Sequence, residues 1–96
     1  MTLLIKALGF ANGRSCPHEG QYLKAFDFEY ENGIGYGDFT DDPSEAMKFD
    51  SFRDAMEFWK TQSKVRPIRP DGEPNRPLTA LSISLERYAE SLNEPI

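Results

Sequence analysis

Cysteine and histidine are almost missing from this chain of 96 residues, which contains one of each, Cys16 and His18. A single cysteine cannot form an internal disulfide, which agrees with a reducing compartment. Two ligands cannot complete the four-fold coordination of zinc, and side chains two residues apart around a proline rarely form a nucleophile and base pair. We therefore expect no metal, no cofactor and no catalytic residues.

Long apolar segments are missing as well. The chain has no run of about 18 apolar residues that could span a bilayer, and residues 1–6 are too short and interrupted to act as a signal peptide. We expect a cytoplasmic protein with no membrane partner. With 39% hydrophobic and 28% charged residues the composition is that of a globular chain. Its length suits one α+β domain over residues 1–88, followed by a polar tail at residues 89–96.

Basic residues are in the minority and unevenly placed. The net charge is −5, yet residues 19–57 carry eleven acidic against three basic residues, whereas residues 60–76 carry five basic against two acidic. This balance argues against direct binding to nucleic acid, because neutralising phosphates requires a basic excess. An acidic surface instead favours a protein partner with a basic surface.

Each end of the proposed domain predicts a strand. Leu3–Phe10 is apolar except at Lys6 and Gly9, which indicates a well-covered strand inside the sheet. Leu78–Tyr88 alternates between apolar and polar residues, which is typical of a half-buried strand.

The middle of the chain predicts a hairpin. Tyr22–Tyr30 alternates, so that Phe26 and Leu23 should lie on opposite faces of this strand. Asn32-Gly33 suits the positive φ angles of a type I′ turn, after which Ile34–Thr40 returns as the partner strand.

Two capping patterns predict helical segments. Asp42 before Pro43 is the N-cap of a short turn. Ser51 is the N-cap of the main helix, which should reach Lys64. Its buried face at helical spacing comprises Phe52, Ala55, Met56 and Trp59. The order β-β-β-α-β predicts an α+β fold with a four-stranded, mainly antiparallel sheet and one main helix packed on one face.

Acidic and aromatic residues are concentrated on the predicted hairpin. The carboxylates can form an ordinary solvated face, or a negative surface that imitates the phosphates of nucleic acid and occupies a basic groove on a partner. The aromatic rings favour core packing under the helix over base stacking, and Tyr36 is expected to be the most exposed.

The segment Arg66–Pro77, which we call the proline loop, holds four prolines and three arginines. It can be a stiff crossover whose arginines pair with the protein's own carboxylates. Its Pro-x-x-Pro spacing also resembles ligands of SH3-type grooves, and its arginines can grip an anion or a partner. The candidates for partner binding on hairpin and loop together are Asp27, Glu29, Glu31, Tyr36, Asp38, Asp41, Asp42, Glu45, Arg66, Arg69 and Arg76.

Two blocks of sequence carry a resemblance. Residues 39–49, from Phe39 through Asp41-Asp42-Pro43, and residues 66–80, from Arg66 to Ala80, look like those of small proteins without assigned activity from bacterial prophages and mobile elements. The resemblance implies no catalytic residues. It implies a phage-type protein that binds and blocks a host protein, as anti-CRISPR proteins block nucleic-acid-guided defence complexes.

The predicted function is therefore that of a small acidic protein-binding module, with a host or phage protein as partner and an inhibitory role of the anti-CRISPR kind. The alternative is a structural or accessory prophage protein that acts by self-association as a homo-oligomer.

Overall fold

The computed structural model describes residues 2–88. The strands are β1 (Leu3–Phe10), β2 (Tyr22–Asp27), β3 (Tyr36–Thr40) and β4 (Leu81–Arg87). They form one antiparallel sheet in the order β3-β2-β1-β4. One short turn, α1 (Tyr30–Gly33), has left-handed φ/ψ angles at Glu31 and Asn32, and the regular helix is α2 (Phe52–Trp59). Two 3-10 turns lie at Pro43–Glu45 and Pro77–Ala80. The predicted α+β fold is confirmed. The predicted polar tail lies outside the described residues.

The inner strand β1 is paired unequally with its neighbours. It pairs with β4 from Leu3 to Phe10 but with β2 only at Lys6. The chain before α2 fills the remaining gap, because Leu3 and Phe49 exchange two backbone hydrogen bonds of 2.8 and 2.9 Å. The Met47 amide donates a further bond of 2.9 Å to Leu23 of β2. These bonds satisfy backbone groups that the splayed strands leave open.

The core lies between the sheet and α2. Its buried residues include Leu3, Ile5, Leu23, Phe49, Ala55 and Leu78. Phe58 of α2 packs against Phe28 and Phe49, with ring centroids 5.2 and 5.4 Å apart. No helix within residues 2–88 has both the length and the apolar character needed to cross a membrane.

The main helix differs from the prediction in two respects, its C-terminal end and the exposure of Phe52. Ser51 is the N-cap as predicted, and its hydroxyl accepts the Asp54 amide at 3.1 Å. The helix ends at Trp59, however, and the predicted extension to Lys64 is wrong. Phe52 is 61% exposed whereas Ala55 is fully buried. Phe58 and Phe52 lie roughly 120° apart on a helix, so packing Phe58 into the core turns Phe52 away from it.

A bulge in β2 overturns the predicted faces of that strand. Leu23 pairs with Phe39 and Ala25 pairs with Asp38, so Lys24 is one extra residue. The extra residue shifts the alternation by one position. Leu23 and Phe26 therefore both face the core, and the prediction that they lie on opposite faces is wrong.

The β2–β3 connection, residues 28–35, is longer than predicted. The prediction of a two-residue turn at Asn32-Gly33 is wrong, because β2 already ends at Asp27 and β3 begins only at Tyr36. Asn32 and Gly33 do have positive φ angles of 59° and 92°, but Glu31 also has one, at 49°. The predicted last strand is shorter as well, because residues 77–80 form a 3-10 turn and β4 starts at Leu81.

Candidate functional site

The proline loop folds as a small hairpin. Ile68 and Pro74 form an antiparallel bridge, and the Arg69 amide donates to the Glu73 carbonyl at 2.8 Å. The Asn75 amide donates to the Pro67 carbonyl at 2.8 Å. A hairpin held by backbone bonds is not the extended polyproline helix that SH3-type grooves bind. The SH3-ligand interpretation is therefore wrong for the loop in this conformation, and the stiff-crossover interpretation fits it.

Glu29 joins the β2–β3 connection to the residues just before the proline loop. Its carboxylate accepts hydrogen bonds from the Ser63 hydroxyl at 2.5 Å, the Lys64 amide at 2.8 Å and the Val65 amide at 3.1 Å. The Ser63 hydroxyl, with the two amides, holds the pKa of Glu29 below its usual value. Glu29 was a candidate for partner binding, but these bonds give its carboxylate a structural task inside the molecule.

A second contact joins the same two segments. The Asn75 side-chain amide donates to the carbonyls of Gly33 at 2.8 Å and Arg66 at 2.9 Å. Gly33 has a φ of 92°, and a Cβ atom there would lie 2.8 Å from both the Asn75 amide nitrogen and the Ser63 hydroxyl. Only glycine fits this junction, so the connection and the loop are fixed against each other.

The junction borders a cleft of about 410 Å³, which we call the arginine cleft. Arg66, Arg69 and Arg76 all line it, and no carboxylate does. Arg69 forms an ion pair with Asp71, at 2.8 Å between Nη2 and Oδ2. Within residues 2–88, Arg66 and Arg76 make no ion pair. The loop arginines therefore do not neutralise the acidic hairpin.

The open face of the β2–β3 hairpin is acidic. Asp27 lies opposite Tyr36 in the register, and Asp38 follows two residues after Tyr36. All three side chains are exposed, as is Glu31 in the connection. We call Asp27, Tyr36 and Asp38 the acidic face. Asp27 accepts the Glu29 backbone amide at 2.9 Å, and no carboxylate of the acidic face forms an ion pair in the part of the chain that the structure describes.

An exposed pair of tyrosines accompanies these carboxylates. Tyr36 is 59% exposed, in agreement with the prediction, and Tyr30 is 45% exposed. Their ring centroids are 5.2 Å apart. The pair thus presents apolar area beside the acidic side chains at an edge strand of the sheet.

The remaining acidic candidates make local contacts around the 3-10 turn. Asp42 caps it as predicted, accepting bonds from the Ser44 hydroxyl at 2.7 Å and amide at 2.9 Å. These bonds hold the pKa of Asp42 below its usual value. Glu45 accepts the Thr40 hydroxyl at 3.0 Å, and Asp41 accepts the Gln21 side-chain amide at 3.2 Å. These three carboxylates thus have contacts that an ordinary turn explains.

Cys16 and His18 both pack against other residues of the protein. Cys16 is 8% exposed in the core, and the His18 ring stacks on Phe39 at 4.3 Å. The His18 Nδ1 atom lies 3.1 Å from the Gln21 side-chain oxygen. Among residues 2–88, no group of three or more histidine, cysteine, aspartate and glutamate side chains could hold a metal ion.

Of the residues that line the arginine cleft, only the three arginines were predicted as site residues; those not predicted include Asn32, Ile34 and Asn75. Asn75 lies within the proline loop and could have been included with it. Asn32 and Ile34 come from the β2–β3 connection, and no sequence signal placed that segment beside the loop. Comparison of the chain with protein-family models, with curated proteins and with solved structures gave no match.

Proposed function

We propose that the protein is a non-enzymatic binding module that uses its acidic face to bind a basic surface of another protein. The observation that carries the proposal is the exposed set of Asp27, Tyr36 and Asp38 on neighbouring strands, without a counter-ion among the described residues. Uncompensated charge of one sign steers a partner of opposite charge and selects against others.

The tyrosine pair supports a contact surface beyond simple charge. Tyrosine is enriched among residues that dominate binding energy, because its ring buries apolar area while its hydroxyl forms hydrogen bonds. Tyr30 and Tyr36 offer this combination directly beside the carboxylates. An ordinary solvated face requires no such exposed rings.

The sharper form of the proposal concerns a partner that normally binds nucleic acid. Asp27 and Asp38 are diagonal neighbours across β2 and β3, which places their Cα atoms about 7 Å apart. Repeated negative charges at such spacing can meet lysine and arginine side chains that otherwise hold phosphates. In this form the protein is an inhibitor of a host complex, of the kind that the resemblance to prophage proteins implies.

Self-association as a structural or accessory protein is the second candidate. One observation favours it: the chain carries both an uncompensated acidic face and an arginine cleft. Two such surfaces on one molecule can pair between copies in a head-to-tail manner. Light scattering at low and high salt distinguishes the candidates, because head-to-tail copies should dissociate at high salt, whereas a module for another protein stays monomeric throughout.

The proposal is tested by capture from a bacterial lysate with an Asp27→Lys, Asp38→Lys variant. A control variant, Glu19→Lys with Asp50→Lys, changes the net charge equally at exposed positions outside the acidic face. We expect a protein that the wild type and the control retain and the Asp27, Asp38 variant loses. That protein should also release its nucleic acid in a mobility-shift assay when the wild type is added. Retention of the same proteins by all three would overturn the proposal.

A further inference from the structure

We propose that the arginine cleft is a binding site for the phosphate chain of a nucleotide-sized molecule. This site is separate from the acidic face and does not depend on the protein partner proposed above. Its charge is the first argument: Arg66, Arg69 and Arg76 line the cleft without a carboxylate among the lining residues. The planar guanidinium group presents paired donors that match two phosphate oxygens at once.

The backbone that carries these arginines is fixed before any ligand arrives. The Arg66 carbonyl accepts the Asn75 side-chain amide at 2.9 Å, and the Arg66 amide donates to the Ser63 hydroxyl at 3.2 Å. The Arg76 carbonyl accepts both the amide of Thr79 at 3.0 Å and its hydroxyl at 2.6 Å. Fixed anchoring points reduce the entropy that binding must remove, so that less affinity is lost in ordering the site.

Arg69 is additionally oriented through its side chain. Asp71 accepts from Arg69 Nε at 3.3 Å and from Nη2 at 2.8 Å. The Glu73 amide donates to the same carboxylate at 3.0 Å and, with the guanidinium, holds the pKa of Asp71 below its usual value. Arg66 and Arg76 have no such partner among residues 2–88, so their charges are available to a ligand.

The size and apolar part of the cleft indicate more than a free phosphate ion. A volume of about 410 Å³ lies within the range of small-molecule sites. Ile34 is 69% exposed and lines the cleft together with Pro77 and Ala80. These groups offer apolar contact to the non-phosphate part of a ligand. A long polyanion fits less well. The acidic face lies on the same β2–β3 hairpin whose connection contributes Ile34 to the cleft, so its carboxylates would repel phosphates that extend beyond the cleft.

Amide chemical shifts of the full chain, measured during titration with ADP in chelator and low salt, test this proposal. We expect saturable shifts at Gly33, Ile34 and Asn75, weaker binding of pyrophosphate, and no binding of adenosine. The Arg66→Ala, Arg76→Ala variant should bind ADP at least tenfold more weakly. The control Arg14→Ala, Arg87→Ala removes two exposed arginines outside the cleft and should bind like the wild type.

The variants also define what would contradict the site. Absence of saturable shifts with ADP, or equal loss in the control variant, would overturn the cleft as a phosphate site. Equal affinities for pyrophosphate and ADP would contradict the apolar contact proposed for Ile34 with the non-phosphate part of the ligand. Binding of adenosine, which has no phosphate, would show that the arginines do not determine binding. Spectra of the free variants should match the wild type away from the substituted residues, since the replaced side chains are exposed.

Discussion

The hydroxyl of Ser63 donates a hydrogen bond of 2.5 Å to the carboxylate of Glu29, although 34 positions separate the two residues in the chain. Ser63 is 1% exposed, so this bond satisfies a buried hydroxyl group. It links the connection that borders the acidic face with the residues just before the loop that carries the arginines. Together with the Asn75–Gly33 contact, this carboxylate therefore fixes the relative position of the two segments.

Glu29→Gln should lower the thermal midpoint of unfolding. The amide side chain can accept through only one oxygen and carries no charge, so the bonds from Ser63, Lys64 and Val65 cannot all be kept. Differential scanning calorimetry measures the change. Glu31→Gln is the matched control, because Glu31 is exposed and makes no ion pair within residues 2–88, and its midpoint should stay at the wild-type value. Equal midpoints for both variants would contradict the anchoring role of Glu29.

Acid should weaken the same anchor. The pKa of Glu29 in the folded protein lies below its ordinary value of 4.5. A lowered folded pKa contributes stability above the unfolded value, and this contribution is lost as the pH falls through the folded value. Between pH 7 and pH 3, the free energy of unfolding measured with urea should fall less in Glu29→Gln than in the wild type. If the free energy of unfolding depended on pH identically in both proteins over that range, Glu29 would not contribute to the acid sensitivity.

Gly33→Ala should destabilise the protein by about 1–3 kcal/mol, because the new Cβ atom meets Asn75 and Ser63 and φ is strained. Gly72→Ala is the control: Gly72 has a similar φ of 86° but no atom within 4 Å of the added Cβ. Its cost should be limited to about 1 kcal/mol of backbone strain. Urea unfolding compares them, and a larger loss for Gly72→Ala would contradict the tight junction.

Phe58 and Phe52 should respond differently to truncation. Phe58 packs against two aromatic rings, so Phe58→Ala should cost about 3 kcal/mol. Phe52 is 61% exposed, so Phe52→Ala should change stability by less than about 0.5 kcal/mol. Chemical denaturation of both variants checks this, and the reverse order would restore the helix face predicted from the sequence.

Much of the fold follows from local patterns in the sequence. The presence and order of the four strands, the caps at Asp42 and Ser51, and the exposure of Tyr36 agree with the structure, although β2, β3 and β4 are shorter than predicted.

The errors arise where contacts distant in sequence override local preference. Asn32-Gly33 has the composition of a tight turn, but Glu29 and the Gly33 carbonyl are held by residues 63–75, which lengthens the connection. The bulge at Lys24 likewise leaves no clear local signal, yet it reverses the faces of β2 after that residue. The arginine cleft combines both segments, so only its proline-loop half could be identified from the sequence.

The central claim, that the acidic face is the partner-binding surface, is tested most directly by one measurement. This is the dissociation constant for the purified captured partner as a function of salt, compared between wild type and the Asp27→Lys, Asp38→Lys variant. The account predicts that wild-type binding weakens steadily as salt rises, and that the variant loses binding even at low salt. A salt-independent dissociation constant shared by both proteins would contradict the claim.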